Sequence, residues 1–184
     1  GRPWWIEFSA SEHKTAREAV AIFDLSSFAK LLIAGADALL AVQHLFANDM
    51  DVPVGRVVYT AMLNDKGGIE SDLTVLRRTE TEFLVVTGAA QTTRDLDWIR
   101  KHIDPTLRVT VVDMTSSFGV LGVIGPNSRE LLSRVCDADM SNEAFPFRSA
   151  RVVSIGSARV MAARLSYAGE LGWELYVPPE VALQ

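Results

Sequence analysis

The sequence predicts an α+β fold in which antiparallel sheets carry packed helices, and three observations predict it. Strand-like runs over residues 54–63 and 68–77 flank Asn64-Asp65-Lys66-Gly67-Gly68, a turn whose glycines can adopt positive φ, so the pair reads as a β-hairpin. Residues 11–22 carry apolar or small positions at helical spacing, and further helices read between the strand-like runs. The second half of the chain is a series of short strand-like runs separated by turn residues, which suits antiparallel sheets with helices packed on them.

In chain order, residues 11–22 read as a helix, with Ser9 or Ser11 as its N-cap and acidic Glu12 in its first turn. The apolar half of residues 21–33, bounded by Gly35, reads as a strand, and Asp37 then caps a helix running to about Phe46. After the hairpin come a strand at 82–87, a helix at 92–102 and a strand at 107–113 closed by Met114-Thr115-Ser116-Ser117, with 118–124 continuing the sheet. Gly125-Pro126-Asn127-Ser128 turns into a helix that Arg129-Glu130-Leu131-Leu132 propagates, proline being tolerated in a first helical turn. Phe145-Pro146-Phe147 is a connector. Strands at 151–155, 158–165 and 172–177 follow, with Tyr167-Ala168-Gly169-Glu170 as the turn before the last. No internal repeat, low-complexity tract or linker marks a boundary, so residues 1–184 read as one domain. A new helix starts within Pro178-Pro179-Glu180-Val181-Ala182-Leu183-Gln184, and the expectation is a fragment of a longer chain, truncated at both ends.

At 184 residues, 48% apolar and 22% charged, the chain has the composition of a globular protein able to bury a substantial core. A formal net charge of -5 with no stripe of Lys and Arg excludes nucleic acid as the expected partner. The longest apolar runs, such as 31–35 and 118–125, fall short of the ~20 residues that cross a bilayer, so no membrane association is expected. Cys136 is the only cysteine, which precludes an internal disulfide and suits a reducing compartment. Gly1-Arg2-Pro3-Trp4-Trp5 carries no signal-peptide or transit-peptide pattern. The expected location is a bacterial cytoplasm, or the mitochondrial matrix for a eukaryotic source.

His13, His44 and His102 are widely separated and lack spaced His or Cys partners, so no metal site is expected. Neither GxGxxG after a strand nor GxxxxGK[ST] occurs, which argues against a dinucleotide or nucleoside triphosphate in this stretch. Period-two alternation puts Asp72 and Thr74 opposite Leu73 and Val75, and Glu174 and Tyr176 opposite Trp173, Leu175 and Val177. Strand carboxylates are usually solvated, and a polar outer face accounts for both sets. Asp72 and Glu174, with Tyr59, Tyr167 and Tyr176, could instead line a cavity for a flat, donor-rich heterocycle. Spacing alone leaves both readings open.

Several segments together resemble the folate-binding region shared by the glycine-cleavage aminomethyltransferase, sarcosine dehydrogenase and dimethylglycine dehydrogenase. They are Phe23-Asp24-Leu25-Ser26-Ser27-Phe28-Ala29-Lys30, Val58-Tyr59-Thr60-Ala61-Met62-Leu63-Asn64, Gly67-Gly68-Ile69-Glu70-Ser71-Asp72-Leu73-Thr74-Val75, Ser141-Asn142-Glu143-Ala144-Phe145-Pro146-Phe147 and Arg164-Leu165-Ser166-Tyr167-Ala168-Gly169-Glu170-Leu171-Gly172-Trp173-Glu174-Leu175. They span nearly the whole chain in family order. Glu70-Ser71-Asp72 and the 142–147 segment look more like sarcosine dehydrogenase, because the aminomethyltransferase tends to carry two adjacent aspartates at the hairpin and Ser71 replaces the first here.

The resemblance implies an aminomethyltransferase-like fold that binds tetrahydrofolate and captures an oxidised N-methyl group as 5,10-methylenetetrahydrofolate. It implies that Asp72 is the essential carboxylate beside the reactive edge of the folate, stabilising the charge of an attacking nitrogen and relaying its proton. It gives Glu174 the pterin ring, whose adjacent N–H and amino donors suit a carboxylate. Tyr167 and Tyr59 would supply aromatic contact, Met50 a soft apolar wall, and Thr87 a further contact that needs a one-residue gap in the match. The implied partners are folate, a small N-methylated amine and an N-terminal flavin domain of the parent chain. FAD would serve that parent enzyme without binding this segment. A stand-alone folate-dependent aminomethyltransferase or demethylase is one alternative. The other is a non-catalytic regulatory homologue like the regulatory subunit of pyruvate dehydrogenase phosphatase.

Overall fold

The computed structural model describes residues 1–167 and 169–182. In chain order its elements are α1 (Ile6–Glu18), β1 (Ala21–Asp24), β2 (Ala29–Ala34), α2 (Ala38–Leu45), β3 (Val57–Leu63), β4 (Ile69–Thr79), β5 (Glu82–Thr87), α3 (Thr92–His102), β6 (Thr110–Asp113), β7 (Gly119–Ile124), α4 (Ser128–Val135), β8 (Ala150–Ile155), β9 (Ala158–Ala163) and β10 (Gly172–Val177). The chain forms two compact units, Ser27–Ser117 and a second one combining Gly1–Ser26 with Phe118–Gln184.

The Ser27–Ser117 unit holds a five-stranded antiparallel sheet in the order β3-β4-β5-β2-β6. Alternation works as expected: Leu31 and Ile33 of β2, Leu73 and Val75 of β4, and Phe83 and Val85 of β5 turn to one face. Val42 and Leu45 of α2 and Ile99 of α3 cover that face. Each such side chain contributes roughly 1.5–3 kcal/mol when fully removed from water. In the other unit the order is β1-β7-β10-β9-β8, again antiparallel, and Val123, Trp173, Leu175, Val153 and Val160 pack with Leu132 of α4 and with Phe145.

Several expectations need correction. The first helix starts at Ile6, with Trp5 at its N-cap position and no side-chain capping bond, so Ser9 and Ser11 lie inside it. Only Ala16 of α1 is buried, so a periodicity set by core packing could not mark where it begins. Residues 118–124 do not continue the sheet of 110–113; β7 sits between β1 and β10 in the second sheet. Pro126 precedes α4, whose N-cap position is Asn127. Asp37 occupies the N-cap position of α2 but makes no capping bond. Its carboxylate instead accepts from Arg108 Nε at 2.9 Å and Nη2 at 3.1 Å, and those bonds lower its pKa to about 2. In the hairpin turn only Gly67 takes positive φ, at 76°. The expected turn at Tyr167-Ala168-Gly169-Glu170 and the helix start before Gln184 each include residues outside the described ones, although Pro179–Val181 forms a 3₁₀ turn.

An internal repeat that the letters of the sequence do not display is plain in the structure. In the first unit β2 runs through Gly35 into α2, and Phe46 then bridges to Met62. In the second, β7 runs through Gly125 into α4, and Cys136 bridges to Ile155. The registers then equate strands throughout. Leu32 pairs with Leu84 and Leu84 with Leu76, just as Gly122 pairs with Glu174 and Glu174 with Ala163. Arg77 therefore matches Arg164, and each guanidinium lies over the matching aromatic ring, Phe83 at 5.5 Å and Trp173 at 5.6 Å. A few identities, such as Gly35 with Gly125 and Arg77 with Arg164, survive, while apolar pattern, turn chemistry and packing remain.

Candidate functional site

Asp72 lies on the face of β4 opposite the helices, between Ser71 and Leu73, which are buried. Across β3, its register partner is Ala61, while Tyr59 pairs with Thr74. Tyr59 is 55% exposed, and its phenol reaches diagonally over the strand pair to donate to Asp72 Oδ2 at 2.6 Å. The hydroxyl thus orients the carboxylate while one oxygen remains for other donors. The same row of the sheet runs from Tyr59 and Thr74 to Val86 and Lys30. Lys30 is fully buried, and its ammonium donates to the Phe28 carbonyl at 2.7 Å.

Thr87 and Met50, expected beside the folate, lie on the helix side of this unit. Met50 is buried in the core cluster with Phe46 and Met62, and its backbone N–H donates to Gln43 Oε1 at 2.8 Å. The Thr87 hydroxyl donates to Asp95 Oδ2 at 2.7 Å, and the Ser71 hydroxyl donates to the same oxygen at 2.8 Å. Sequence reasoning misses Asp95. The available signal is its position four residues before Ile99, which puts an acid on the buried stripe of α3.

Glu174 belongs to the second unit, on β10, which is flanked by β7 and β9. The expectation of a polar outer face fails here. Tyr176 is only 3% exposed, Glu174 is half-buried, and the Tyr176 phenol donates to Glu174 Oε2 at 2.8 Å. The cause is the strand's central place, with the Phe118 ring set edge-on against Tyr176 at 6.3 Å. Burial raises the Glu174 pKa above its ordinary 4.5, with the Tyr176 bond acting against the rise. Burial, and then the neighbouring carboxylate, push the Tyr176 phenol well above its ordinary 10. Tyr167 is 100% exposed, so it packs on nothing in the described chain.

On the opposite face of β10, fully buried Trp173 meets Phe145 edge-on at 6.0 Å. Arg129 and Arg164 lie over its ring, and Arg129, Arg151 and Arg164 donate to the carbonyls of Met140, Ala144 and Phe145 respectively. These arginines anchor the 139–147 segment. An open crevice lined by Ala34, Gly35, Glu82, Arg108 and Thr110 contains none of the residues expected in the site.

The chain matches the GCVT N-terminal domain family over residues 1–184. It is 43% identical over 183 residues to the 4-methylaminobutanoate oxidase (formaldehyde-forming) of Paenarthrobacter nicotinovorans, covering 100% of this chain and 22% of that protein. Over 187 residues it is 37% identical to the mitochondrial pyruvate dehydrogenase phosphatase regulatory subunit of Mus musculus, covering 99% and 21%. Over 173 residues it is 38% identical to the mitochondrial dimethylglycine dehydrogenase of Homo sapiens, covering 94% and 20%. The fold is similar to the glycine cleavage system aminomethyltransferase T from Bartonella henselae, with a TM-score of 0.79 and 23% identity over 94% of this chain and 45% of that one. The chain spans about a fifth of the length of the three curated relatives.

Proposed function

The chain belongs to the GCVT N-terminal domain family, and on that premise we propose that it is the tetrahydrofolate-binding, one-carbon-transfer portion of an oxidase or dehydrogenase of N-methylated amino acids. Sarcosine and dimethylglycine are the first substrates to consider. The relative that acts by name on 4-methylaminobutanoate widens the class to N-methyl amines that also carry a carboxylate. The amine's oxidation is assigned to a flavin domain elsewhere in a longer parent chain.

The observation that carries this reading is Glu174. A half-buried carboxylate on a central strand costs desolvation, and Tyr176 occupies only one of its oxygens. A carboxylate offers about four lone-pair positions, so acceptor capacity remains for the adjacent N–H and amino donors of a pterin. That remaining acceptor capacity supports the pterin reading. When bound, tetrahydrofolate would supply the nitrogen that accepts a carbon at the formaldehyde oxidation level. Asp72, held by Tyr59, would stabilise the positive charge that develops on that nitrogen and take up its proton. Tyr167 belongs to the same proposal as a contact of the bound state, whereas Thr87 and Met50, buried on the helix side, would back the sheet that carries Asp72.

Anaerobic calorimetric titration of tetrahydrofolate into this chain and into Glu174→Ala tests it. Saturable binding weakened about tenfold or more in the variant is expected, as for loss of a charge-assisted pair. Equal binding by both would remove Glu174 from the site. Similarity to a phosphatase regulatory subunit favours a second reading, a folate-binding domain without transfer. That reading predicts intact binding together with no effect of Asp72→Asn on any rate.

A further inference from the structure

A polar cluster lies beneath β4. Asp95 is 0% exposed, Ser71 3% and Thr87 2%. Both hydroxyls converge on Asp95 Oδ2, and Arg94 donates to Oδ1 through Nε at 3.0 Å and Nη2 at 2.9 Å. The same Arg94 Nη2 donates to the carbonyl of Glu70 at 2.5 Å. The two residues that precede Asp72 are therefore both tied to α3, Glu70 through its backbone and Ser71 through its side chain.

The internal repeat offers a comparison for these strand positions. Counting along the equated strands, Ser71 matches Ala158 and Thr87 matches Val177. In the second unit these places are apolar, and Ala158 and Val177 join the hydrophobic cluster there. The polar set is thus peculiar to the first unit, and a buried carboxylate is costly there and often improved upon by apolar replacement. The cluster occurs in the unit that bears Asp72, directly under that residue.

We propose that Asp95 is a positioning residue for the one-carbon transfer: through Ser71, Thr87 and Arg94 it fixes β4 against α3, so that Asp72 on the other face presents its carboxylate at a set height and angle. This rests on the reading of Asp72 given above. Asp95 does not touch the folate; it acts by removing freedom from the strand that carries the reacting group.

The test is a double-mutant cycle on tetrahydrofolate-dependent one-carbon capture by the full protein, with kcat and KM measured well below each variant's unfolding temperature. Asp95→Leu is expected to lower kcat about tenfold or more, with KM for tetrahydrofolate within about twofold of wild type. Asp95→Leu combined with Asp72→Asn should be no slower than Asp72→Asn alone, because Asp95 acts through Asp72. If Asp95→Leu does not fold, Arg94→Gln and Asp95→Asn carry the same cycle, each with a smaller loss of kcat. Unchanged kcat in folded Asp95 and Arg94 variants, or losses that multiply with that of Asp72→Asn, would overturn the positioning role. A wild-type protein that does not bind tetrahydrofolate in calorimetry would overturn the functional reading and this role together, whereas the preceding outcomes leave the functional reading standing.

Discussion

The Tyr59 phenol and the Asp72 carboxylate meet at 2.6 Å across the β3–β4 pair although their register partners are Thr74 and Ala61. The tyrosine's hydroxyl, rather than its ring alone, is thus engaged with the residue assigned the proton chemistry. Tyr59→Phe keeps the ring and removes the donor. Because the pair is exposed, its contribution to stability should be about 0.5–1 kcal/mol by urea unfolding. The rate should suffer more, with kcat for one-carbon capture falling about tenfold as Asp72 loses its fixed orientation. A variant with wild-type kcat would limit Tyr59 to ring contact.

Glu174 should set a conflict between stability and binding. Its pKa is raised by burial, so the folded chain holds this proton more tightly than the unfolded chain does. The associated stability is complete below the unfolded value near 4.5 and is lost as pH rises through the higher folded value. Glu174→Gln cannot ionise and still accepts from Tyr176. Thermal unfolding at acid and neutral pH should show the variant gaining on wild type as pH rises, while its affinity for tetrahydrofolate falls at neutral pH. A stability difference that stays constant with pH would mean that Glu174 is ionised at little cost.

Ser71 is the point where this chain departs from the aminomethyltransferase pattern of adjacent aspartates, and the structure gives the departure a partner. Its hydroxyl donates to Asp95, so a carboxylate in its place would face another inside the core. Ser71→Asp should destabilise the chain by about 3–5 kcal/mol in urea unfolding, the range for an uncompensated buried charge. Asp95→Ser in the Ser71→Asp background should recover much of the loss by restoring one carboxylate and one hydroxyl. An additive second loss would show that the two positions do not interact.

Much of this is legible in the letters. The 82–87 strand and the 92–102 helix coincide with β5 and α3, because a short run of β-branched and aromatic residues in one and helical spacing in the other decide them locally. Alternation puts Asp72 on the face away from Leu73 and Val75, and the structure has it there. What fails is set by tertiary neighbours. Glu174 and Tyr176 alternate like a solvated edge, yet the central strand position buries the tyrosine, and no window of β10 alone encodes which strands flank it. The move from β6 to β7 reads as one continuing strand system because a change of sheet leaves no mark on local periodicity. Asp95 is hidden for a related reason: a carboxylate on a helix looks solvated until Ser71 and Thr87, on two other elements, close over it. The repeat escapes notice because packing tolerates Phe83 in one unit and Trp173 in the other.

The two glycines that open the repeated strand-to-helix turns give the last prediction. Gly35 has φ +146° and Gly125 has φ +138°, a region that L side chains rarely adopt. A Cβ on Gly35 would lie 2.1 Å from the Arg108 carbonyl oxygen, and one on Gly125 would lie 2.4 Å from that of Ala19. Both obstacles are backbone, so neither can rotate aside. Gly35→Ala and Gly125→Ala should each cost about 2–4 kcal/mol in chemical unfolding, the strain of the wrong φ adding to the displacement of a neighbouring segment. Gly67→Ala is the internal control, since Gly67 also has positive φ, at 76°, but a Cβ added there would meet nothing within 4 Å. It should lose only about 1 kcal/mol. If all three variants lose the same amount, φ strain alone governs these turns; a much larger loss at Gly35 and Gly125 would show that close backbone approach is the feature both halves of the repeat retain.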